Sequence, residues 1–378
     1  MARSLKSLHL RGYRAFDDFR ISDLGRVNLI VGKNNAGKTS ILEAIRLLAS
    51  GGDPEMLARV AVERSDRFEG GTWSRMGEPD PVVDAKTFFH ESDFAVSRTF
   101  AVATDGELGS VRGEVIKIAD LDSAERETIL SRVPSFLRDY RGEDLGLRLR
   151  GSGQTPPVII GLTADGQFGV DETLAELPNA SLAQRLSTGA NAIHITPAVL
   201  GSSALAALWG HLLVDGREAD IVSALRILEP RIESVHFLPL DSAAQSDRVL
   251  IGMEDKKRRV SLGTMGEGVR RLLSLALSLA NARSGILTVD EIDTGLHWSV
   301  MREMWSLVIR VAVELDVSVF ATTHSLDCLR GLRDATEKSP GDADMIRVHS
   351  IDTRLDHAVT YRAEDLSIAI EQEIEVRG

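Results

Sequence analysis

Apolar positions along this chain alternate between two spacings, and each change of spacing marks an element. Near the start, Leu5, Leu8 and Leu10 precede Gly12, and Phe16, Phe19 and Ile21 follow it before Gly25. That pattern predicts an opening antiparallel hairpin at the edge of a sheet. The apolar run Val27 to Val31 predicts a buried strand, and Ile41 to Leu48 a helix that Gly51-Gly52-Asp53-Pro54 stops. Residues 62–80, polar and rich in glycine and arginine, predict a mobile loop. Over 81–118, Val96, Thr99, Phe100 and Val102, then Val111, Val115, Ile116 and Ile118, predict two strands joined at Asp105-Gly106.

Residues 121–140 predict a helix interrupted by Pro134, and 146–170 short strands around Pro156-Pro157 and Asp165-Gly166. Residues 181–228 read as mostly helical, through Leu205, Leu208, Trp209, Leu212, Ile221, Leu225 and Leu228, ending at Pro230. Strands are expected at 235–240 and 248–262, with a turn at Glu254-Asp255-Lys256. Gly266 to Ala282 is a strongly apolar helix and 285–289 a buried strand. Met301, Met304, Trp305, Val308 and Ala312 form one face of an amphipathic helix, and 317–323 another strand. After Asp344 come strands at 345–351 and 357–361 and a helix near 364–374. Sustained heptads are missing from the sequence, so long coiled-coil arms are not expected.

The chemistry begins between the Val27–Val31 run and the helix after it. Gly32-Lys33-Asn34-Asn35-Ala36-Gly37-Lys38-Thr39-Ser40 has the glycine spacing of a P-loop, in the strand–loop–helix setting that motif requires. Gly32 and Gly37 let the backbone curl its N–H groups toward phosphate oxygens, and the helix adds the positive end of its dipole. Lys38 is expected to reach the β- and γ-phosphates, and the Thr39 hydroxyl to hold Mg²⁺. A second strand, Ile286-Leu-Thr-Val, ends in Asp290-Glu291. There Asp290 can orient Mg²⁺ through its water shell, and Glu291 can act as general base toward the attacking water. A third strand ends at His324-Ser325, and that histidine can donate to a γ-phosphate oxygen.

One further stretch, Gly263-Thr264-Met265-Gly266-Glu267-Gly268, opens a helix with small residues and a hydroxyl, which makes a second anion site. One nucleotide does not need two cradles, so Thr264, Gly266 and Glu267 are expected to serve a neighbouring copy, and a homodimer or higher homo-oligomer follows.

Composition narrows the setting. With 378 residues and 43% hydrophobic content, the chain can fill one large domain or two. A net charge of −12 argues against a surface devoted to nucleic acid, while the local run Lys256-Lys257-Arg258-Arg259 leaves a place for backbone phosphates. The single cysteine, Cys328, excludes an internal disulfide. The start lacks the apolar core of a signal peptide, and no stretch approaches the roughly 20 apolar residues of a membrane span. A soluble cytoplasmic protein without membrane contact is expected.

Together these motifs resemble the ABC-class ATPase heads of the SMC, RecF and OLD (overcoming-lysogenisation-defect) group. Gly32 to Thr39 match its Walker A motif and Ile286 to Glu291 its Walker B motif. Thr264-Met-Gly266-Glu267 stands at the signature, Thr294-Gly295-Leu296-His297 at the D-loop and His324 at the switch histidine. Thr264 and Met265 replace the usual serine and glycine, and His297 stands where many relatives have aspartate. Gln154 and Gln167 are the candidates for the Q-loop glutamine. The resemblance is to the short, arm-less members related to OLD proteins, many of them from anti-phage operons.

It implies an α/β P-loop NTPase fold, an ABC-type head with a mixed sheet, an antiparallel β lobe and a helical lobe. A single domain over 1–378 is expected. It would divide into a P-loop and antiparallel lobe (1–118), an inserted mixed and helical lobe (119–258), and a core with the signature helix and C-terminal extension (259–378). It further implies ATP and Mg²⁺ as cofactors, hydrolysis to ADP and phosphate, and two ATP molecules held between two heads. The roughly fifty residues after His324 are too few for the TOPRIM nuclease domain of OLD nucleases. The expected role is therefore a switch controlling a separate effector subunit, a TOPRIM-type nuclease being one such subunit, in anti-phage defence. The alternatives are a RecF/SMC-like clamp on DNA and an ATP-bound scaffold.

Overall fold

Each predicted strand near the P-loop takes its place in one of two large sheets. The structure is a computed structural model that describes residues 5–64, 67–68, 82–121, 123, 145–152, 157–169, 192–198, 200–238, 249–338 and 340–371. The chain begins with β1 (Leu8–Tyr13), β2 (Phe16–Ile21) and β3 (Val27–Gly32), followed by α1 (Lys38–Ala49) and α2 (Pro54–Glu63). Next come β4 (Arg67–Phe68), β5 (Val82–Asp84), β6 (Thr99–Ala103), β7 (Ser110–Lys117), β8 (Leu145–Gly151), β9 (Val158–Leu162) and β10 (Gln167–Gly169). The middle of the chain gives β11 (Ala192–Ile195), α3 (Ser202–Asp215), α4 (Glu218–Leu225), β12 (Ile232–Phe237), β13 (Val249–Met253) and β14 (Val260–Ser261). The last part gives α5 (Glu267–Asn281), β15 (Ile286–Val289), α6 (Met301–Glu314), β16 (Ser318–Thr323), α7 (Leu326–Lys338), β17 (Ile346–Ile351), β18 (Val359–Arg362) and α8 (Ala363–Glu371).

The core sheet runs β11-β15-β16-β3-β17-β18, parallel throughout except for the last strand. The second large sheet, β2-β1-β6-β7-β8-β9, is antiparallel. Helix α1 lies between them, and every residue from Ser40 to Ala49 is buried. Core-sheet strands alternate their side chains between two faces. Leu29 and Val31 pack on the side of α5, α6 and α7, whereas Ile30 and Phe320 pack on the side of α1. Buried ion pairs tie α1 to its surroundings: Arg14 at the β1–β2 turn lies 3.0 Å from Glu43, and Arg46 2.5 Å from Glu63.

Some elements differ from the pattern-based expectations. Helix α2 replaces the first residues of the loop expected over 62–80; Asp53 caps it by accepting from the Glu55 N–H, and Pro54 sits at its first turn. Most of the remaining loop, the helix expected over 121–140 and residues 181–191 fall outside the described residues. Strand β11 lies inside the stretch read as helical, where parallel pairing of Ile193 with Leu287 overrides the weak local signal of a four-residue segment. Val96 is exposed and outside β6, and Ile118 begins a 3-10 turn after β7. Helix α7 occupies a stretch to which the apolar pattern assigned no element. The antiparallel sheet runs across the 118/119 division, because β8 and β9 extend the edge that β7 offers, and β11 joins the core sheet. Sheet edges recruit strands by hydrogen bonding rather than by proximity in sequence.

Candidate functional site

Strands β3, β15 and β16 are neighbours, so the parallel sheet delivers the segments that follow them to one crevice at its carboxyl edge. The P-loop leaves β3 through Gly32 (φ 155°) and enters α1 through Gly37 (φ 92°), in the left-handed half of backbone space. Gly37 has a second reason to be glycine: a Cβ there would stand 2.5 Å from the Phe16 ring. The β1–β2 turn thus presses the loop into shape. Lys38 donates from Nζ to the carbonyl oxygens of Gly32 (2.7 Å) and Lys33 (2.8 Å), holding its ammonium inside the loop. Burial pushes the Lys38 pKa below the ordinary lysine value, and the carboxylates of Asp290 and Glu291 oppose that shift.

The segment after β15 meets the P-loop directly. Thr39 donates from Oγ1 to Asp290 Oδ2 at 3.0 Å. Thr322, on β16, donates to the other oxygen, Asp290 Oδ1, at 2.5 Å and accepts from the Glu291 N–H at 2.8 Å. Glu291 itself sits at φ 47°, uncommon for a residue with a side chain. Its carboxylate accepts from Thr294 Oγ1 at 3.0 Å and lies 3.8 Å from His324 Nδ1. Both the His324 ring and the Glu291 carboxylate remain substantially open to solvent.

Two residues that the motif reading passed over hold this arrangement. Thr322 bridges Asp290 and Glu291, as described. Arg271, buried on α5, donates to the carbonyl oxygens of Thr196 (2.6 Å), Asp290 (3.0 Å) and Glu291 (2.9 Å). A planar fork of N–H groups suits three converging carbonyls, which an ammonium would serve less well. A basic residue inside an otherwise apolar helix face, one turn after Glu267, is the signal in the sequence that could have found it.

The stretch expected to form a second cradle lies at the N-terminus of α5. Gly266 has φ 90°, and open space surrounds the position of a Cβ. The Thr264 hydroxyl donates to the Ser261 carbonyl at 2.7 Å, and Thr264, Gly266 and Glu267 are exposed or nearly so. Gly268 lies against Gly295, Leu296 and Leu228, which ties the cradle to the loop that carries Glu291. Lys33, Asn34, Asn35 and Ala36 form the tip of the P-loop, facing Ile351–Arg354 across a pocket. Ser40 is buried on α1 and accepts from Arg64 at 3.2 Å. Of the Q-loop candidates, Gln154 is outside the described residues, and Gln167 lies on the small sheet β10-β5-β4, paired with Asp84.

The donor chemistry fits a magnesium nucleotide. Thr39 and Asp290 bring one hydroxyl and one carboxylate together, which suits a hard cation that keeps most of its water and takes phosphate oxygens. Among the described residues there is no group of three or more His, Cys, Asp or Glu that would hold a metal by protein alone. The site therefore defines a P-loop nucleotide hydrolase, with a phosphate cradle, a hydroxyl–carboxylate pair and a second carboxylate beside a histidine.

Comparison with known proteins finds ATPase families and relatives. Residues 4–102 match a family described as "AAA ATPase domain", and residues 213–329 one described as "AAA domain, putative AbiEii toxin, Type IV TA system". An "ATP/GTP phosphatase" of Helicobacter pylori is 20% identical over 341 residues, 85% of each chain. The DNA replication and repair protein RecF of Clostridioides difficile is 38% identical over 77 residues, 19% of this chain and 20% of that protein. An SMC head domain from Pyrococcus furiosus, solved with the C-terminal domain of ScpA, aligns over 98% of this chain and 99% of its own at 14% identity and a TM-score of 0.45. Both matched families are ATPase domains, and the chain is a P-loop ATPase.

Proposed function

We propose that this ATPase works as a dimeric switch: two copies close over ATP, and hydrolysis lets them part. The observation that carries this reading is the second cradle at the start of α5, which adjoins Gly295 and Leu296 and is open to an incoming phosphate. A two-fold pair would let it complete the partner's site.

Within one copy, Lys38 donates to the outer phosphates, and Thr39 with Asp290 would hold Mg²⁺, which would supply positive charge to the phosphates. Glu291 accepts the proton of the attacking water as the bond to the ADP leaving group breaks. His324 donates to the terminal phosphate and is released when that phosphate departs. Across the interface, Thr264, Gly266 and Glu267 meet the partner's nucleotide. Glu291→Gln keeps the shape of the site but removes the base. It should preserve ATP binding while slowing turnover by on the order of 10²–10⁴, and it should trap the closed pair. Sedimentation of Glu291→Gln with ATP and with ADP tests this: a dimer with ATP alone is expected, and unchanged turnover would remove Glu291 from the mechanism.

The effector under control is proposed to be a separate subunit, of nuclease type, in anti-phage defence. The family matched over residues 213–329 names a toxin of a toxin–antitoxin system, which is compatible with such a role. Purifying the Glu291→Gln chain with its neighbouring gene products, with and without ATP, tests for an attached effector. A second reading, a clamp on duplex DNA, draws on the local match to RecF and on the turn Lys256-Lys257-Arg258-Arg259, exposed at all four positions between β13 and β14. ATP-dependent DNA binding that weakens steeply with salt would favour the clamp.

A further inference from the structure

Glu291 stands on a bend in the chain, and the bend is anchored on both faces of the core sheet. Along β16 the side chains alternate: Val319 and Ala321 pack on the side of α5, α6 and α7, and Phe320 packs on the side of α1. Thr322 and Thr323 continue the alternation, so two adjacent hydroxyls stand on opposite faces of the strand end. The segment after β15 answers both. Asp290 accepts from Thr322 on the α1 side, where it also meets Thr39. Three residues later, Asp293 Oδ1 accepts from Thr323 Oγ1 at 2.6 Å. Between them, Ile292 is buried in the core that α5, α6 and α7 share, and its N–H donates to the Thr322 carbonyl at 3.0 Å. Residues 290–293 therefore cross the end of β16 from one face to the other.

Glu291 occupies the crossing, at φ 47°. A left-handed angle at a residue with a side chain persists where the surroundings hold it. Thr322 holds the near side through the Glu291 N–H at 2.8 Å, and Thr323 the far side through Asp293. Both threonines are fully buried, and a hydroxyl that donates to a carboxylate makes one of the stronger hydrogen bonds.

The same far-side hydroxyl reaches the segment of His324. Thr323 Oγ1 accepts from the Ser325 N–H at 3.0 Å, and Ser325 Oγ accepts from the Cys328 N–H at 3.3 Å, at the start of α7. His324 lies between Thr323 and Ser325, so its neighbours on both sides belong to this run of bonds. One carboxylate, Asp293, thus braces the backbone behind Glu291 and behind His324, whose side chains stand 3.8 Å apart. Thr294 orients the Glu291 carboxylate from within the same loop, whereas Asp293 ties that loop to the residues around His324.

We propose that Asp293 and Thr323 are positioning residues for hydrolysis: their bond, made on the face of the sheet away from the P-loop, fixes the Glu291 carboxylate against the His324 ring. This rests on the reading of Glu291 as the base and names what aims it.

The test measures turnover per folded molecule, ATP affinity by calorimetric titration and the unfolding midpoint in urea, all on the full chain. Thr323→Val keeps the shape of the side chain and removes the hydroxyl. Its kcat should fall on the order of 10-fold, the effect of a slightly misplaced reacting group, with ATP affinity as in the parent. Thr323→Ser keeps the hydroxyl and should recover most of the rate. Asp293→Ala should reproduce the loss, and the double variant should lose no more than either single, because both changes remove one bond. Should Asp293→Ala fail to fold, Thr323→Val against Thr323→Ser decides alone. A parental kcat in Thr323→Val with a lower urea midpoint would reduce the pair to a structural contact, and single losses that multiply in the double variant would mean that the two residues act apart. Either result overturns the proposal while Glu291→Gln still slows turnover and the base assignment stands. If Glu291→Gln turns over ATP as fast as the parent, the base assignment falls and this proposal with it.

Discussion

The two ends of the core sheet are built from the same strands and solve opposite problems. At the carboxyl edge, Lys38, Asp290, Glu291 and His324 converge with their heads partly in solvent, and Glu291 sits at a backbone angle that side chains seldom adopt. Inside β3 and β17, away from the crevice, polar groups are sealed. Asn28 donates to the carbonyls of Gly25 (2.9 Å) and Val319 (3.2 Å), and its Oδ1 accepts from the Gly25 N–H (2.8 Å) and faces the His349 ring (3.2 Å). His349 is closed on its other side by Thr360, and Arg347 pairs with Asp23 at 2.8 Å. Polar groups satisfied by each other stabilise a fold, whereas polar groups that face outward are available to a ligand. Chemistry and stability can therefore be perturbed separately in one sheet.

Lys38→Ala is the largest separation expected. Charge-assisted hydrogen bonds to phosphate contribute about 1.5–3 kcal/mol, so ATP affinity should fall on the order of 10²-fold, read by calorimetric titration. The ligand-free unfolding midpoint in urea should barely move. Retained tight binding would contradict the P-loop assignment. Asn28→Ala should do the reverse: it orphans partners at Gly25 before β3, on β16 and on β17 and should cost about 2 kcal/mol of stability, with turnover per folded molecule unchanged at low temperature. A variant that instead lost nucleotide binding without losing stability would show that the two ends are coupled.

Sequence located the residues of the crevice better than the scaffolding. The P-loop could be read because Gly32, Gly37 and Lys38 answer to local backbone geometry, and the ends of β15 and β16 because short apolar runs stop abruptly at Asp290 and His324. Strand β11 could not, since four residues acquire strand character only by pairing with β15 across more than ninety positions. Arg271 was hidden for a related reason: it bonds the backbone carbonyls of Thr196, Asp290 and Glu291, and a motif of side chains does not mark a carbonyl's partner. The extent of the antiparallel sheet was lost where β8 and β9 rejoin β7 after an intervening segment.

Arg271 gives a smaller and more selective effect. Arg271→Lys keeps a positive charge inside α5 but cannot reach the carbonyls of Thr196, Asp290 and Glu291 together. The Glu291 backbone would lose one of its restraints, and a misplaced base costs rate rather than affinity. A kcat lower by about tenfold, or ~1.4 kcal/mol, is expected with little change in ATP affinity. An equal loss of affinity would mean that Arg271 supports the cradle rather than the base.

The smallest effect isolates the sealed half of the sheet. Burial lowers the His349 pKa to about 3, with Arg347 adding to the shift and Asp23 opposing it. In the unfolded chain the ring returns to about 6.5. Between those values the unfolded state holds a proton that the native state refuses. The contribution is therefore complete above about pH 6.5 and is lost as pH falls toward 3, at up to ~1.4 kcal/mol per pH unit. Asp23, whose carboxyl is held low by Arg347, adds its own loss only at more acidic pH, where ordinary carboxylates titrate. Between pH 6 and pH 5, His349→Gln should therefore lose about 1.2 kcal/mol less stability than the parent chain in urea. Groups that titrate in both chains cancel from that difference. Parallel pH profiles for the two chains would mean that the ring is protonated in the native state, and that the interior of β17 admits water much as the carboxyl edge of the sheet does.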